Sequence, residues 1–360
     1  MVEFVSVESM RHWVAREGAE HLIAQLAGVV EADLRRWRRF ERVPRIASHS
    51  PVGVIELMPT SDGTHYALKV VNGHPDNPAR DLQTVAAFGV LADVDTGYPL
   101  MISEMTILTA LRTAATSAVA ARALARPSGR NLALIGAGSQ AEFQALAMRA
   151  AVGIDAVTVW DTDPAAMDKV ARNLHGSGLR IRLASSAADA VAGADIVTTC
   201  TADKANATVL TADMIEPGMH LNAIGGDCPG KTELDAHILH DAHLVAVEFE
   251  PQTRIEGEIQ QVSPDFPVTA LWDILTGDAP GRTADAQVTI FDSVGFALED
   301  FSALRFVRDA LHGTDLMEDI DLVAEPSDPK DLFGYTQGSH AGQESQPGFA
   351  FSASARSLPA

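Results

Sequence analysis

The sequence predicts an α/β protein in which an α+β module is followed by a doubly wound parallel sheet. Two observations support this prediction. Up to about Leu111 the pattern mixes helical and strand-like runs, and after Arg130 short apolar runs alternate with helical stretches. Such alternation is typical of a parallel sheet whose two faces are covered by helices.

The composition narrows the class of protein. With 360 residues the chain is long enough for two domains and a large buried core. Its formal net charge of −21 argues against nucleic acid and anionic membranes as partners, because both attract clustered Lys and Arg. The two cysteines, Cys200 and Cys228, argue against a disulfide framework and favour a cytoplasmic location. We expect no signal peptide, no membrane span and no metal site.

The first module is predicted from local periodicity. A helix is expected through the Met10–Trp37 region. Strands are expected over Val52–Met58, Tyr66–Val71 and Ala86–Asp93, with turn signals between them. We expect these strands to form a largely antiparallel sheet. A long Ala-rich helix is then predicted over Met105–Ala125.

The second module is predicted from seven strand-like runs with helical stretches between most of them. These strands are Asn131–Ile135, Val157–Trp160, Arg180–Leu183, Ile196–Thr199, His220–Ile224, Leu244–Val247 and Val288–Phe291. A helix from about Gly295 to His312 is expected to lead the chain back to the first module. We therefore divide the chain into a first domain over 1–112, completed by about 313–335, and a second domain over 113–312. A flexible tail is predicted over 336–360, where Gly, Ser and Pro are frequent.

The strongest local motif is a dinucleotide-binding loop. The apolar run Asn131–Ile135 leads into Gly-Ala-Gly-Ser-Gln-Ala, a G-x-G-x-x-A loop that opens a helix. Gly136 permits the tight turn, Gly138 lets a pyrophosphate approach the backbone, and Ala141 allows the helix to pack closely on the strand. The helix amino terminus offers N–H groups and partial positive charge to the phosphates. The second domain is therefore predicted to be of the Rossmann type.

Asp161 supports NAD as the cofactor. It ends the next strand, 23 residues after Gly138, where a ribose-binding carboxylate is expected. A carboxylate there would accept hydrogen bonds from the ribose hydroxyls and repel a 2′-phosphate. The alternative reading is that Asp161 only caps the turn that follows it.

Three cations stand in apolar surroundings near the amino-terminal end of the chain. Arg45 follows Val-Pro, Lys69 lies inside the run YALKVV, and Arg112 interrupts an apolar helix. A buried charge is costly unless it is paired, so such cations indicate either anion recognition or structural ion pairs. The sequence leaves both readings open for each residue.

A polar loop follows the predicted strand at His220–Ile224. Gly225 and Gly226 allow the backbone to approach a flat ring, and Asp227 then projects from the loop with Lys231 four residues later. In open α/β sheets ligands bind at this carboxyl edge. Asp227 is a candidate general base, and its alternative role is to cap the next helix.

Several long segments resemble the ornithine cyclodeaminase/μ-crystallin family. The resemblance covers roughly Arg42 to Val307, and its GGDCPGK loop is most similar to that of the bacterial ornithine cyclodeaminases. The segments that carry it are NGHPDN, EMTILTALRTAATS, GAGSQAEFQ, NAIGGDCPGKTELD and FDSVGFALEDFSAL.

The resemblance implies roles for individual residues. Arg45, Lys69 and Arg112 match residues that bind the substrate carboxylate, and Asp227 matches the acid that marks cyclodeaminases. Glu56 is a candidate for contact with a distal amine, and Val294 matches a residue that closes the pocket. Cofactor-side roles fall to Thr84, Arg112, Ser139, Gln140, Asp161, Thr201, Leu221, Asn222, Ala223, Ile224, Lys231 and Ser293, beside Gly136 and Gly138 of the loop.

The resemblance also implies an activity and an assembly. The expected reaction converts L-ornithine to L-proline and ammonia through transient hydride transfer to bound NAD. The expected assembly is a homodimer in which the first domain binds substrate and joins its sheet to that of its partner. The alternatives are a lysine cyclodeaminase, an NAD(P)H-dependent amino-acid dehydrogenase or ketimine reductase, and a non-catalytic crystallin-like binder.

Overall fold

The computed structural model of the chain describes residues 1–202 and 207–338. Contacts between residues divide the chain into two units, Val2–Asp319 and a smaller unit of Met1 with Ile320–Ala360. Both sheets belong to the larger unit except for the last residue of one edge strand. The flexible tail that the sequence predicts falls, beyond residue 338, outside the described residues. Within the described ranges, no helix combines the length and apolar character needed to span a membrane.

The first module contains more strands than the sequence predicted. Its elements are β1 (Val2–Val5), α1 (Val7–Glu17), α2 (Ala19–Arg35), β2 (Ile46–Ser50), β3 (Gly53–Ser61), β4 (His65–Gly73), β5 (Ala87–Asp93), β6 (Pro99–Glu104) and α3 (Thr106–Leu124). The prediction of one helix through Met10–Trp37 was wrong, because Gly18 adopts a positive φ of 85° between α1 and α2. Strands β1, β2 and β6 were missed.

The second module continues the chain as alternating strands and helices. Its elements are β7 (Asn131–Ile135), α4 (Ala141–Val152), β8 (Ala156–Trp160), α5 (Pro164–Asn173), β9 (Arg180–Leu183), α6 (Ala187–Val191), β10 (Ile196–Thr199), β11 (His220–Ala223), α7 (Ala236–Asp241), β12 (Leu244–Val247), α8 (Glu250–Glu256), β13 (Thr269–Ala270), α9 (Leu271–Thr276), β14 (Thr289–Asp292) and α10 (Ala297–Leu311). The chain then continues through β15 (Glu318–Ile320), which joins the first sheet, and α11 (Leu332–Thr336). The seven predicted strands are all present, and the short β13 of the same sheet was missed.

The first sheet has seven strands in the order β15-β1-β6-β5-β4-β3-β2. From β2 to β6 all neighbours are antiparallel, and β1 pairs with β6 in parallel. The prediction of a largely antiparallel sheet is therefore confirmed. Helix α10 packs across β3, β4 and β5, so one face of these strands is covered and the side chains on it are buried.

The second sheet has eight strands in the order β13-β12-β14-β11-β10-β7-β8-β9, and every pair is parallel. The predicted doubly wound parallel sheet is confirmed. The strand order reverses between β7 and β10, and ligands of such sheets bind outside the carboxyl ends of the strands at this point. The motif loops follow β7, β10 and β11, so the topology brings them to one edge.

A buried histidine lies in the middle of this sheet. The His220 imidazole contacts Thr289 Oγ1 at 3.0 Å and Asn222 Oδ1 at 3.1 Å. Burial, and then the charge of Arg282, lowers the pKa of His220 to about 3. The unfolded chain therefore binds a proton at this residue between about pH 6.5 and 3 while the folded chain does not.

We expect acid to destabilise the fold through His220. Its contribution to stability is present above pH 6.5 and is lost as the pH falls toward 3, by about 1.4 kcal/mol per pH unit. Urea unfolding at pH 6.5 and pH 4 should show a loss about 3 kcal/mol larger in the unaltered chain than in His220→Gln. Equal losses in the two proteins would contradict this assignment.

Candidate active site

The loop after β7 has the geometry that a dinucleotide needs. Gly136 has a φ of 105°, and a Cβ there would lie 2.8 Å from the carbonyl carbon of Cys200. Gly138 faces open space, with no heavy atom within 4 Å of the position of a Cβ. Ser139 is exposed and Gln140 half-buried at the start of α4. A ligand can therefore approach the backbone at Gly138, and the residues present fit a pyrophosphate.

Asp161 lies beside this loop. Its Oδ2 accepts the backbone N–H of Ala137 at 2.6 Å, which ties the end of β8 to the loop. The helix that follows is capped by Asp163, whose carboxylate accepts the N–H of Ala165. Asp161 also accepts the N–H of Asp163 at 2.9 Å, so it does cap the turn that follows it, as the alternative interpretation predicted.

The loops after β10 and β11 meet at the same edge. Lys231 Nζ donates to the carbonyl oxygen of Thr201 at 3.1 Å and to Asp227 Oδ1 at 3.2 Å. The Asp227 side chain is 55% exposed while Lys231 is buried. The alternative that Asp227 caps a helix is wrong, because the next helix is α7 and its cap is Asp235. Lys231 therefore holds the Asp227 carboxylate on one side, and the rest of that carboxylate is open to solvent.

The remaining cofactor candidates differ in what their side chains contact. Leu221, Asn222 and Ala223 form β11 and are buried, and the Asn222 amide contacts His220 inside the sheet. Ile224 follows the strand and donates its N–H to Thr199. The carbonyl oxygen of Thr84 accepts the N–H of His74, and no hydrogen bond or ion pair among the described residues joins it to the other candidates.

Arg45 is enclosed by groups from both modules. Its Nη1 donates to Glu56 Oε2 at 2.9 Å, and its Nε lies 3.1 Å from Glu256 Oε2. Its Nη2 donates to the carbonyl oxygens of Val294 and Gly295. Arg45 therefore bridges β3 of the first module to α8 and to the end of β14.

Lys69 and Arg112 share one carboxylate. Lys69 Nζ lies 2.8 Å from Asp300 Oδ1, and Arg112 Nε lies 3.0 Å from the same atom. Arg112 Nη1 also pairs with Glu299 Oε2 at 2.9 Å. Burial, and then the charge of Arg112, lowers the pKa of Lys69 to about 8. These cations therefore form structural ion pairs, which is one of the two interpretations that the sequence left open.

The three cations nevertheless belong to one cluster. The charge of Arg45 acts on both Lys69 and Arg112. Gly295 lies between the two arginines, since its carbonyl oxygen accepts from Arg45 and a Cβ there would lie 2.8 Å from Arg112 Nη1. Among the described residues Asp300 is the only hydrogen-bond acceptor of Lys69 Nζ, so two of its three N–H bonds remain for a ligand.

Carboxylates outnumber cations in this cluster. Asp227 lies close enough for its charge to act on Arg45 and Glu256. Burial raises the pKa of Glu256 to about 7, and the charges of Glu56 and Asp227 add to that rise against the opposing effect of Arg45. The acids that surround the three cations are Glu56, Asp227, Glu248, Glu256, Glu299 and Asp300. Binding of a further cation would favour the ionised forms of Glu256 and Glu299, since burial raises the pKa of Glu256 to about 7 and that of Glu299 well above its usual range.

Four acidic residues at the site were missed in the sequence. Glu248 accepts the Oγ–H of Ser293 and the N–H groups of Val294 and Gly295, so it shapes the turn that contains the predicted pocket residues. The others are Glu256, Glu299 and Asp300. The sequence offers only a weak signal for them: Glu248 and Glu256 flank Gln252 at spacings of four, and Glu299 and Asp300 lie in the first turn of α10, where acids are common.

Comparison with known proteins identifies the family. A model described as the ornithine cyclodeaminase/mu-crystallin family matches residues 7–315. The ornithine cyclodeaminase of Agrobacterium fabrum (strain C58) is 59% identical over 334 residues, which are 93% of this chain and 94% of that protein. The chain belongs to the ornithine cyclodeaminase/mu-crystallin family. The resemblance found in the sequence is confirmed.

Proteins with the same fold have been solved with ligands. A structure described as showing recognition of L-lysine, L-ornithine and L-2,4-diaminobutyric acid by lysine cyclodeaminase is 33% identical, with a TM-score of 0.85. The alignment covers 92% of this chain and 98% of that one. An archaeal alanine dehydrogenase dimer with bound NAD has a TM-score of 0.81 at 29% identity, over 89% and 99% of the two chains. The predicted Rossmann-type domain is thereby confirmed.

We expect Asp161→Ser to change the cofactor preference. The variant loses the carboxylate that is predicted to bind a ribose and to repel a 2′-phosphate, so NAD should bind about tenfold more weakly and NADP measurably better. Dissociation constants from isothermal titration calorimetry check this. Asp163→Ser, in the same turn, is the matched control and should keep the preference for NAD. An unchanged preference in Asp161→Ser would exclude a ribose-binding role.

Proposed function

We propose that this chain is an NAD-dependent ornithine cyclodeaminase, an ammonia-lyase that converts L-ornithine to L-proline and ammonia. The observation that supports it best is the mixed charge cluster, in which three cations suit an α-carboxylate and surplus acids suit a second ammonium. An alanine-like substrate would have no group for the surplus acids. The relatives with 53–59% identity and the name ornithine cyclodeaminase support the same conclusion.

NAD is the cofactor, and the loop after β7 with Asp161 provides its binding site. Bound there, NAD would supply a reversible hydride acceptor for the substrate α-carbon, regenerated within the same turnover. Gly136, Gly138, Ser139 and Gln140 surround the pyrophosphate position at the start of α4. Thr201 and Lys231 lie near the carboxyl ends of β10 and β11, at the same edge of the sheet as that loop. This position suits contact with the nicotinamide end of the cofactor.

The cations hold the substrate by its carboxylate. Lys69 and Arg112 are buried on the covered face of the first sheet and on α3, and Arg45 closes the cluster from the side of β2. Because all three are fixed by ion pairs before substrate arrives, little side-chain ordering is needed on binding. Their arrangement positions the α-carbon, and positioning of this kind contributes a large share of catalysis.

The acids handle the distal amine. Glu56 and Glu256 lie on either side of Arg45, and Asp227 lies within reach of the same charges. The distal ammonium must lose a proton before its nitrogen can bond to the α-carbon, from which the α-amino group then leaves as ammonia. Asp227 can accept that proton because its carboxylate is exposed on one side. Lys231 holds the carboxylate in place, and the resemblance assigns Val294, whose carbonyl oxygen accepts from Arg45, to closing the pocket.

Lysine is the second candidate substrate. The solved lysine cyclodeaminase is described with both L-lysine and L-ornithine, so one fold accommodates both. One methylene changes binding by only about 1–3 kcal/mol. Ornithine is favoured because a relative at 59% identity carries the name ornithine cyclodeaminase, whereas a lysine cyclodeaminase of Streptomyces rapamycinicus is 34% identical over 255 residues.

The direct test is to incubate the protein with L-ornithine and catalytic NAD. Proline and ammonia should form in equal amounts without a net change in absorbance at 340 nm. Asp227→Asn should keep NAD affinity and lose proline formation by about 100-fold or more, as expected for a general base. A lasting rise at 340 nm would indicate a dehydrogenase instead, and normal proline formation by Asp227→Asn would exclude the role of Asp227.

The titration of two buried groups predicts a narrow pH range for activity. Glu256 should be ionised to hold Arg45 and the distal ammonium, and Lys69 should be charged to hold the carboxylate. With pKa values of about 7 and about 8, kcat/KM for ornithine should rise through pH 7 and fall above pH 8. Glu256→Gln should remove the acidic limb. A profile that stays flat from pH 6 to 9 would contradict the assignment.

The homodimer is proposed from the open face of the first sheet. Ile46, Ile55, Leu57 and Phe88 share that face by strand register, and each is between 38% and 59% exposed. Their neighbours Glu56 and Lys69 point to the covered face, where they are buried. A contiguous apolar patch of this kind indicates an interface, and a structural relative is described as a dimer.

A charge on this face should dissociate the dimer. We expect Leu57→Asp with Phe88→Asp to give a monomer in size-exclusion chromatography with light scattering, because a buried unpaired carboxylate is costly. Leu183→Asp, on an exposed apolar residue of β9 in the other sheet, is the control and should stay dimeric. A dimer that survives the double substitution would place the interface elsewhere.

Two further assignments remain proposals. The domain division at 112 and 312 follows the change from the first sheet to the second and back. The cytoplasmic location rests on the scarcity of cysteine. Fractionation of cells that express the full chain would test the location, and limited proteolysis would test the division.

A further inference from the structure

Three buried acidic side chains, those of Asp292, Glu258 and Glu233, accept hydrogen bonds from backbone N–H groups near the loop that carries Asp227. Asp292, at the end of β14, accepts the N–H groups of Glu258 and Ile259, each at 2.9 Å. The Glu258 side chain accepts those of Glu233 and Leu234 at 2.7 and 3.0 Å. Each acid therefore fixes the backbone that carries the next one.

Glu233 is the last member of the series and touches the site itself. Its Oε1 accepts the N–H of Thr201 at 2.7 Å and the Thr201 hydroxyl at 2.6 Å. Its Oε2 accepts the N–H of Gly225 at 3.0 Å. Because Thr201 and Gly225 follow β10 and β11, one carboxylate joins the carboxyl ends of two neighbouring strands.

Lys231 closes a ring with Glu233. The Lys231 ammonium contacts the carbonyl oxygen of Thr201 and the carboxylate of Asp227. The carbonyl oxygen of Thr201 thus accepts a hydrogen bond from Lys231, while its N–H and its hydroxyl both donate hydrogen bonds to Glu233. The loop from Gly225 to Asp227 is held at its start by Glu233 and at its end by Lys231.

Three glycines lie against the three carboxylates. A Cβ on Gly225 would clash with the Glu233 carboxyl group, and one on Gly226 would lie 3.0 Å from Glu258 Oε1. A Cβ on Gly257 would lie 2.7 Å from both oxygens of Asp292. The double glycine that the sequence suggested for approach to a flat ring is therefore also needed for approach to carboxylates.

We propose that Glu233 is a positioning residue, which sets the place of Asp227 by joining Thr201 to Gly225, and that Glu258 and Asp292 hold Glu233 for this purpose. This proposal rests on the proposed function, since it concerns the proton acceptor of that reaction. A loop tip would otherwise be free to move, and a displacement of about 1 Å can reduce catalysis by about 100-fold. Burial raises the pKa of Asp292 to about 7 and that of Glu258 well above its usual range, and the two backbone N–H groups that each of them accepts oppose that rise. Glu233 accepts three hydrogen bonds.

The experiment is a double-mutant cycle between Glu233→Gln and Asp227→Asn. The glutamine keeps the size of the side chain, but its amide group cannot accept hydrogen bonds from Thr201 and Gly225 at both ends. We expect Glu233→Gln to lower kcat for proline formation about 30-fold in the otherwise unaltered chain and less than twofold when Asp227→Asn is already present. The dissociation constant for NAD, measured by calorimetry, should change by less than threefold.

A matched control separates positioning from general loss of structure. Asp195 also accepts backbone N–H groups, those of Arg130 and Asn131 at 2.7 and 3.0 Å, but at the opposite edge of the same sheet. Asp195→Asn should lower the melting temperature about as much as Glu233→Gln and leave kcat within twofold. If Glu233→Gln does not fold, Thr201→Val removes a single hydroxyl donor and should show the same dependence on Asp227 with a smaller fall in kcat.

Equal losses of kcat with and without Asp227→Asn, or a fall in NAD affinity parallel to that in kcat, would overturn the proposal. These outcomes differ from a failure of the proposed function. In that case the unaltered chain itself would form no proline from ornithine.

Discussion

The burial of three cations is the constraint on which the structure depends. Lys69, Arg45 and Arg112 are almost fully enclosed, and a buried charge that loses its partner destabilises a fold by about 3–5 kcal/mol. Their partners come from β3, α8 and the start of α10, so the ion pairs also connect the two modules. The requirement for neutralisation therefore shapes the fold and the site together.

The strands of the first sheet present one face to the charge cluster and the other face to the proposed dimer interface. Alternation along β3 and β4 directs Glu56 and Lys69 to the face that α10 covers, and it directs Ile55 and Leu57 to the other face. A shift of register by one residue would exchange these faces and remove both the site and the apolar patch. In the second sheet, the ends of β10 and β11 lie at the same edge as the cofactor loop, and Glu233 joins them behind Asp227.

Much of the fold could be predicted from the sequence, because strong local signals specify it. The seven strands of the parallel sheet were found from apolar runs, and the Gly136–Ala141 loop placed the dinucleotide site. Strands β1 and β2 were missed because they are short and largely without alternation. The cations were found as isolated charges in apolar runs, whereas Glu233 and Glu256 were not, because partners that are distant in sequence become visible only when the chain folds.

The most direct test of the account is to measure the affinity of the site for a second ammonium. L-Norvaline has the carbon chain of L-ornithine without the distal amine, and protein loaded with NADH cannot oxidise either compound. Isothermal titration calorimetry should show that ornithine binds about 30-fold more tightly than norvaline, since a charge-assisted contact contributes about 1.5–3 kcal/mol. Equal affinities would contradict the claim that the surplus carboxylates select a diamino acid.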